Sequence, residues 1–257
     1  MSELMLPEPT RWRASRWSQP LAGVLAFGIA AVYAALGVAA ATRGNYLTAM
    51  VSVGWVVFLL VLLAAVLLVG SGRCEARITS DATGFTLSPD RRFAILMLIG
   101  ISALIPSAAL FAVCAPLGLI EFANTWMLQT IGAGASAFVA VTSVSGLVVA
   151  WRRRGVGHVK LTPAMIENAD ILATKTFEWA DVVDVADHAE SQKSRRAVVL
   201  RLRDGHEEII GFANIYVPRG VALYWLVRHY WRHPEDRMEL VDSRAVERLR
   251  DGRFDLG

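Results

Sequence analysis

Residues Arg77–Pro89 read "RITSDATGFTLSP", and Val159–Pro163 read "VKLTP". Each places a β-branched or aromatic residue, then Leu, Ser or Thr, and Pro, shortly after a cluster of arginines. The first stretch lies between two long apolar segments, the second just past the last of them. Ile78 and Thr79, a Ser80–Gly84 turn, and Phe85–Leu87 read as a hairpin. The edge of a sheet leaves backbone groups unpaired and needs covering. The hairpin is therefore expected to pair with an edge of a sheet formed later in the chain. Two rivals stay open here: a chance echo of a short turn motif, and a remnant of a duplicated half.

The surroundings set the class. The chain has 257 residues, 54% hydrophobic and only 19% charged, with a mean hydropathy of +0.43. Water-soluble domains carry charge on about a quarter of their residues. Pro20–Thr42, Asn45–Gly72, Phe93–Ile120 and Phe122–Trp151 contain no Asp, Glu, Lys, Arg or His. At about 1.5 Å per residue, ~20 helical residues cross a ~30 Å hydrocarbon core. Buried helices of a soluble protein would show polar stripes at the helical period, and none appears. A bundle of four transmembrane helices is expected, at residues 20–42, 47–70, 93–119 and 126–151. The first is too long for the core of a cleaved signal peptide and is expected to be retained.

Basic residues near span ends set orientation. Arg11, Arg13 and Arg16 precede the first span, Arg73, Arg77, Arg91 and Arg92 lie between the second and third, and Arg152, Arg153 and Arg154 follow the fourth; Arg43 stands alone on the other side. Both termini and the 73–92 loop are thus expected in the cytoplasm of a multi-pass plasma-membrane protein. Trp12 and Trp17 alternate with arginines in "RWRASRW", and Trp126 and Trp151 bracket the fourth span, as interfacial indoles do. Residues 1–19 read equally as an amphipathic strip along the headgroups or as a solvated basic tail. Cys74 and Cys114 fall in a loop and inside a span, so a disulfide is not expected in a reducing compartment.

The spans offer no ionisable group of the kind that ion and proton pathways use. Pro106 and Pro116 in the third read as kinks, with freed carbonyls satisfied by Ser102 or Ser107. The second, "VVFLLVLLAAVLLV" (Val56–Val69), reads as lipid-facing bulk. In the fourth, Gly132 and Ser136, and likewise Thr142 and Gly146, stand four apart, a spacing that lets helix backbones approach. That face is expected to pack against the other spans or another subunit.

From Gly155 the composition turns soluble. "HVKLTPAMIENA" (His158–Ala169) suggests two strands about a Thr162-Pro163 turn. "ILATKTFEWADVVDVADHAE" (Ile171–Glu190) suggests one or two more, with Phe177 and Trp179 on one face at period two. In "AVVLRLRDGHEEIIGF" (Ala197–Phe212), Val198, Leu200 and Leu202 face one side, and Val199, Arg201 and Arg203 the other. Asp204-Gly205 supplies the two positive-φ positions of a tight hairpin. "VPRGVALYWLVRHYWRHPE" (Val217–Glu235) reads as one helix with Pro218 in its first turn, stopped by Pro234. His229 and His233 join Arg228 and Arg232 as cations at its negative end. "DSRAVERLRDG" (Asp242–Gly252) reads as a short helix ending at Gly252 within a 241–257 tail.

The pieces "HVKLTPAMIENA", "FEWADVVDV", "AVVLRLRDG" and "YWLVRHYWRHPEDR" resemble the bacterial pleckstrin-homology-like domains of uncharacterised multi-span membrane proteins of actinobacteria. The resemblance covers about residues 155–240. It implies a β-rich PH-like domain, a curved antiparallel sheet with a C-terminal helix, and more loosely a binding role. That fold normally has seven strands, whereas about six are read after Gly155. The 77–87 hairpin would help make up the difference.

No chemistry-bearing motif is found. There is no Gly-rich phosphate loop and no Ser/His/Asp or Cys/His constellation. "HEEII" at His206 lacks the second histidine of a zinc protease, and His229 and His233 lack a third ligand. No cofactor, metal, enzymatic activity or nucleic-acid partner is expected. Arg152, Arg153 and Arg154, with Lys193, Arg195 and Arg196 of "QKSRR", are candidate contacts to anionic lipid, each contributing about 1 kcal/mol near the surface. For "QKSRR" a solvated loop is an equal reading. Lys160 and Lys175 are too few to form a specific headgroup pocket. The expected function is a non-catalytic membrane protein presenting a PH-like module for protein or membrane-surface binding, as an accessory subunit of an envelope assembly. A transporter or channel component with a regulatory domain is the alternative, and a membrane enzyme with a dispersed site a third.

Overall fold

A computed structural model describes residues 6–12, 18–153, 155–170, 173–191 and 196–255. The expectations placed on Arg13, Arg16, Trp17, Arg154, Lys193 and Arg195 fall outside these residues. The chain divides into two units: Met1–Ser15, Leu68–Phe93 and Arg153–Gly257 form one, and Arg16–Leu67 with Ala94–Arg152 form the other.

The second unit is helical. Helices α1 (Ser18–Thr42), α2 (Tyr46–Gly70), α3 (Arg91–Cys114) and α4 (Ala133–Arg152, preceded by a π-turn at Leu128–Gly132) are each long and apolar enough to cross a membrane. Asn45 caps α2, its Oδ1 accepting from Thr48 N–H at 3.0 Å. α3 stays helical through Pro106 but ends at Cys114, short of the expected 119. The residue before a proline leaves the helical region, Ala115 precedes Pro116, and the chain turns there with Gly118 at φ +70°. Ser107 does not repair its own helix; its hydroxyl donates to the Met50 carbonyl of α2 at 3.4 Å.

α2 is not mere lipid-facing bulk. Val51 has no exposed surface, and Thr48 and Ser52 are buried. A Cβ on Gly54 would stand 1.7 Å from Ser107 Oγ and 2.7 Å from the Ala103 carbonyl oxygen of α3, and a Cβ on Gly37 of α1 would stand 2.8 Å from Ser52 Cβ. The close-approach residues sit before the Val56–Val69 run, so the bulk of that run hid them. At the far ends of the helices, Arg43 pairs with Glu121, and Asn45 Nδ2 donates to the Leu119 carbonyl at 3.3 Å.

The small-residue face of α4 is only partly as expected. Ala133, Ser136 and Ala140 are buried, and Gly132 lies beside Phe111, where an added Cβ would meet Cε1 at 3.5 Å. Thr142 is exposed and turns its hydroxyl back to the Phe138 carbonyl at 2.8 Å. Gly146 is half-buried. Residues 136 and 142 are ~120° apart around a helix of 3.6 residues per turn, so Thr142 falls off the side on which Ser136 is buried.

The first unit holds the strands. β1 (Arg77–Asp81), β2 (Gly84–Ser88), β3 (His158–Leu161), β4 (Met165–Ala169) and β5 (Thr174–Glu178) form a five-stranded sheet in chain order, and β6 (Val182–Ala186), β7 (Val198–Leu202) and β8 (Glu207–Ile210) a three-stranded one. All pairings are antiparallel. The hairpin read from "RITSDATGFTLSP" does cover a sheet edge. Phe85 stands opposite Leu161, Thr86 opposite Lys160 and Leu87 opposite Val159. Its turn is tighter than expected, with Asp81 paired to Gly84 and Asp81 Oδ1 accepting from Thr83 N–H at 2.7 Å. Gly84 has φ +139°, and a Cβ there would lie 2.8 Å from the Leu161 carbonyl oxygen. Only glycine meets both conditions.

Three other local expectations change. Trp179 leaves period two for a 3-10 turn, and its indole N–H closes the Leu161–Pro163 corner by donating to the Thr162 carbonyl at 2.8 Å. In the β7–β8 turn only Gly205 has positive φ, at +83°, as in a type I turn followed by a left-handed residue. Helix α5 begins at Val221 and ends at Arg232, because Arg219 (φ +60°) and Gly220 (φ +78°) are left-handed. Pro218 therefore precedes the helix, while Pro234 ends it as read. Helix α6 (Arg244–Asp251) stops at Gly252, φ +67°.

One core joins both sheets and both helices. Phe85, Leu87, Val159, Leu161 and Ile166 meet Val198, Leu200 and Ile210, with Leu223, Leu226 and Tyr230 of α5 and Ala245 and Leu249 of α6. A buried polar tie links the sheets: Glu208 accepts from Asn168 Nδ2 and from Lys175 Nζ, both at 2.8 Å.

Candidate interaction surface

The N-terminal segment is built into the first unit. Trp12 is 3% exposed and meets Tyr224 of α5 edge-on at 5.9 Å. Its indole N–H donates to the Asp187 carbonyl at 2.8 Å. The Asp187 carboxylate accepts from Arg11 N–H at 3.0 Å and the Thr10 hydroxyl at 3.3 Å, and Trp225 Nε1 donates to the Pro7 carbonyl at 2.9 Å. Burial acts to raise the Asp187 carboxyl, but hydrogen bonds from Arg11, His188 and Thr10 more than offset it and leave the pKa lowered. For residues 7–12 this replaces both the headgroup strip and the free tail: a buried, hydrogen-bonded indole is a core residue.

A second feature gathers around the 3-10 turn Ala213–Ile215. Among the described residues, Arg196 (φ +46°), Phe212 (φ +52°) and Arg219 (φ +60°) are the non-glycine residues with positive φ. They converge. Ala213 N–H donates to the Arg196 carbonyl at 3.0 Å. A Cβ on Gly220 would stand 2.9 Å from both Ala213 Cβ and Asn214 N. Left-handed side-chain-bearing residues are costly and persist only where the surroundings enforce them. The turn is also pinned to the α2–α3 connection, since Asp90 N–H donates to the Ile215 carbonyl at 3.3 Å. Asp90 caps α3: its carboxylate accepts from Arg92 N–H at 2.6 Å and Glu75 N–H at 2.7 Å. Asn214 Oδ1 is buried without a hydrogen-bond partner.

The basic residues nominated from sequence divide. Arg152 and Arg153 are exposed, and Arg153 Nη1 donates to the Asp170 carbonyl at 2.7 Å. Arg196 is half-buried and belongs to the strained turn cluster. Lys160 donates to Thr83 Oγ1 at 2.9 Å, and Lys175 is held by Glu208, so both are drawn into internal bonds.

The two histidines of α5 part company. His229 is buried and bonded through Nε2 to Asp236 Oδ2 at 3.0 Å. Burial, then the Arg248 charge, lower its pKa, so its place in the core disfavours the helix-end cation read from sequence. His233 bonds Glu235 at 3.1 Å and Asp255 at 3.2 Å, and these two partners raise its pKa. Among the described residues no cluster of His, Cys, Asp or Glu could hold a metal ion.

Trp12, Asp187, Phe212 and Asp90 were not singled out in this way from sequence. Asp90 followed by the Arg91–Arg92 helix start is a legible cap signal; Phe212 after Gly211 is not. Comparison with protein-family models, curated proteins and solved structures returned no match.

Proposed function

We propose that the chain is a non-catalytic, multi-pass membrane protein whose extramembrane unit is a pleckstrin-homology-like platform held at the cytoplasmic face. There it serves as an accessory subunit that docks a protein partner of an envelope assembly. The β2–β3 ladder carries this reading. It builds one sheet from segments on either side of α3 and α4. The unit is drawn from the N-terminal segment, the α2–α3 connection and the chain after α4. A four-span chain leaves those three segments on one side, the arginine-rich side, which favours the cytoplasm.

The helices support insertion. Leu21, Val24, Phe27 and Val38 of α1 are exposed, as are Phe138 and Val141 of α4. That much apolar surface needs a partner, and hydrocarbon supplies one. Trp126 and Trp151, flanking α4, are 72% and 80% exposed, which suits interfacial indoles. The PH-like resemblance implies seven strands and a C-terminal helix. The unit has eight, β1 to β5 in one sheet and β6 to β8 in the other, then α5, so the reading takes β1 as an addition.

The chain passes between the two units at four points rather than through one linker, which favours positioning over long reach. Reporter fusions at Gly44 and Asn124 are expected to read external, and those at Ser80 and Gly257 internal. A cytoplasmic reading at Asn124 would sink the four-span model. A partner is expected to co-purify from native membranes with the full chain and to be lost on Phe85→Asp.

A further inference from the structure

We propose that the Phe212 turn is a lipid-binding foot: its ring enters the interfacial layer of the bilayer that holds α2 and α3, and the surrounding arginines engage anionic headgroups. This rests on the reading that those helices span a membrane.

Phe212 is 69% exposed, more than Met238 (60%), Val183 (50%) or Met165 (38%), the other exposed large apolar residues among those described in its unit. It is also held in a left-handed conformation, φ +52°, by the Ala213–Arg196 bond at 3.0 Å. A phenylalanine that is both strained and solvated gains nothing in water. At a headgroup boundary its ring finds apolar surroundings, as aromatic residues of interfacial segments do.

Its place in the unit fits that boundary. Three residues on, the Ile215 carbonyl accepts from Asp90 N–H, and Asp90 caps the first turn of α3. On the other side, Arg219 Cγ lies 3.8 Å from the point a Cβ on Gly72 would occupy, just past the end of α2 at Gly70. The turn is thus bonded to the α3 end of the α2–α3 connection, and Arg219 lies beside its α2 end, where headgroups lie if these helices cross. Exposed charge there is mainly positive: Arg73, Arg91 and Arg92. Glu75 is the acidic exception, 3.9 Å from Arg92. Basic residues beside an exposed aromatic match an anionic lipid surface.

The test uses the full chain with Cys74→Ser and Cys114→Ser, reconstituted in vesicles. Phe212→Cys carries an environment-sensitive fluorophore, and separate Met238→Cys and Phe27→Cys proteins carry it as references. Phosphatidylcholine vesicles are compared with and without phosphatidylglycerol, using lipid-borne nitroxide and aqueous iodide as quenchers. The expected result is a blue-shifted emission at 212, quenched by nitroxide and shielded from iodide. Phosphatidylglycerol is expected to enlarge the shift, while position 238 stays open to iodide. Iodide quenching at 212 equal to that at 238 would overturn the foot, as would protection of 212 from both quenchers, which signals a protein contact. An emission at 212 indifferent to phosphatidylglycerol would overturn the headgroup role of the arginines. Nitroxide quenching at Phe27 without quenching at 212 rejects this proposal alone. No nitroxide quenching at Phe27 rejects the membrane reading beneath it.

Discussion

Phe85 of β2 stands directly opposite Leu161 of β3, and neither side chain has exposed surface. Helices α3 and α4 separate them in sequence. The five-stranded sheet can therefore close only after both helices have been made, so its folding is coupled to the chain between its parts.

Removing the ring should be costly. Phe85→Ala is expected to destabilise the unit by about 3–5 kcal/mol, the usual cost of deleting a buried phenylalanine. Phe85→Asp should do worse, leaving a buried charge without a partner. Thermal unfolding and faster loop proteolysis in the intact protein would register both. An isolated 155–240 fragment is expected to be less stable and more aggregation-prone than one with residues 74–90 fused at its N-terminus, since small domains have little core to spare.

Trp12 extends the same logic to the N-terminus. Trp12→Ala is expected to release residues 7–12 from α5, read as faster tryptic cleavage after Arg11 and a lower melting temperature. Asp187→Ala removes the acceptor for Arg11 and Thr10 but keeps the indole in place. Its effect should be smaller, about 1–2 kcal/mol for the lost hydrogen bonds. Equal protease resistance in all three proteins would count against the docking.

Among the helices, the sensitive glycine is in α2 rather than α4. Gly54→Ala would drive a Cβ to 1.7 Å from Ser107 Oγ and 2.7 Å from a backbone oxygen, whereas Gly132→Ala would place it in ordinary contact, 3.5 Å from Phe111. Gly54→Ala is expected to lower yield and broaden elution in detergent, with Gly132→Ala near wild type. Gly132→Leu is expected to be tolerated less well than Gly132→Ala, because the space ends at Phe111.

One carboxylate gives a pH signature. Glu207 accepts from the Ser191 hydroxyl at 2.7 Å and from the Ser191 and Glu190 amides. These bonds, the Ser191 hydroxyl first, lower its pKa from 4.5 to about 2. A depressed pKa means the ionised form is the one stabilised, so the contribution is complete above pH 4.5 and is lost as pH falls through about 2. A carboxyl-carbon NMR titration should show that low midpoint, and Glu207→Gln should abolish the acid loosening of the 189–191 loop. A midpoint near 4.5 would refute the bonding.

Long, charge-free runs and period-two strands are signals carried by neighbouring residues, which is why the four helices and most of β3 to β8 were legible. The β1–β2 hairpin was legible too, since Gly84 and the echo of "VKLTP" mark it locally. Trp12 was not: set among arginines it has the composition of an interfacial strip, and its partner Asp187 is far along the chain. Nor was the role of α2, because Ser52 and Gly54 act through shape against α1 and α3. Phe212 and Arg219 escaped notice because left-handed strain on a non-glycine residue leaves no trace in composition. It also delayed the start of α5 past Pro218.

The split sheet can be tested by a disulfide across its seam. Thr86 and Lys160 are directly paired, and Lys160, Glu167 and Thr176 continue the same row. Paired positions in an antiparallel ladder have Cα atoms about 4.5–5.5 Å apart, within disulfide reach. Thr86 and Thr176 are three strand spacings apart, ~14 Å, and out of reach. In a Cys74→Ser, Cys114→Ser background with a protease site placed between residues 118 and 124, the Thr86→Cys, Lys160→Cys protein should stay one band after oxidation and cleavage. The Thr86→Cys, Thr176→Cys protein should fall into two. Two fragments from the first protein, or equal cross-linking in both, would mean that β2 does not complete the sheet.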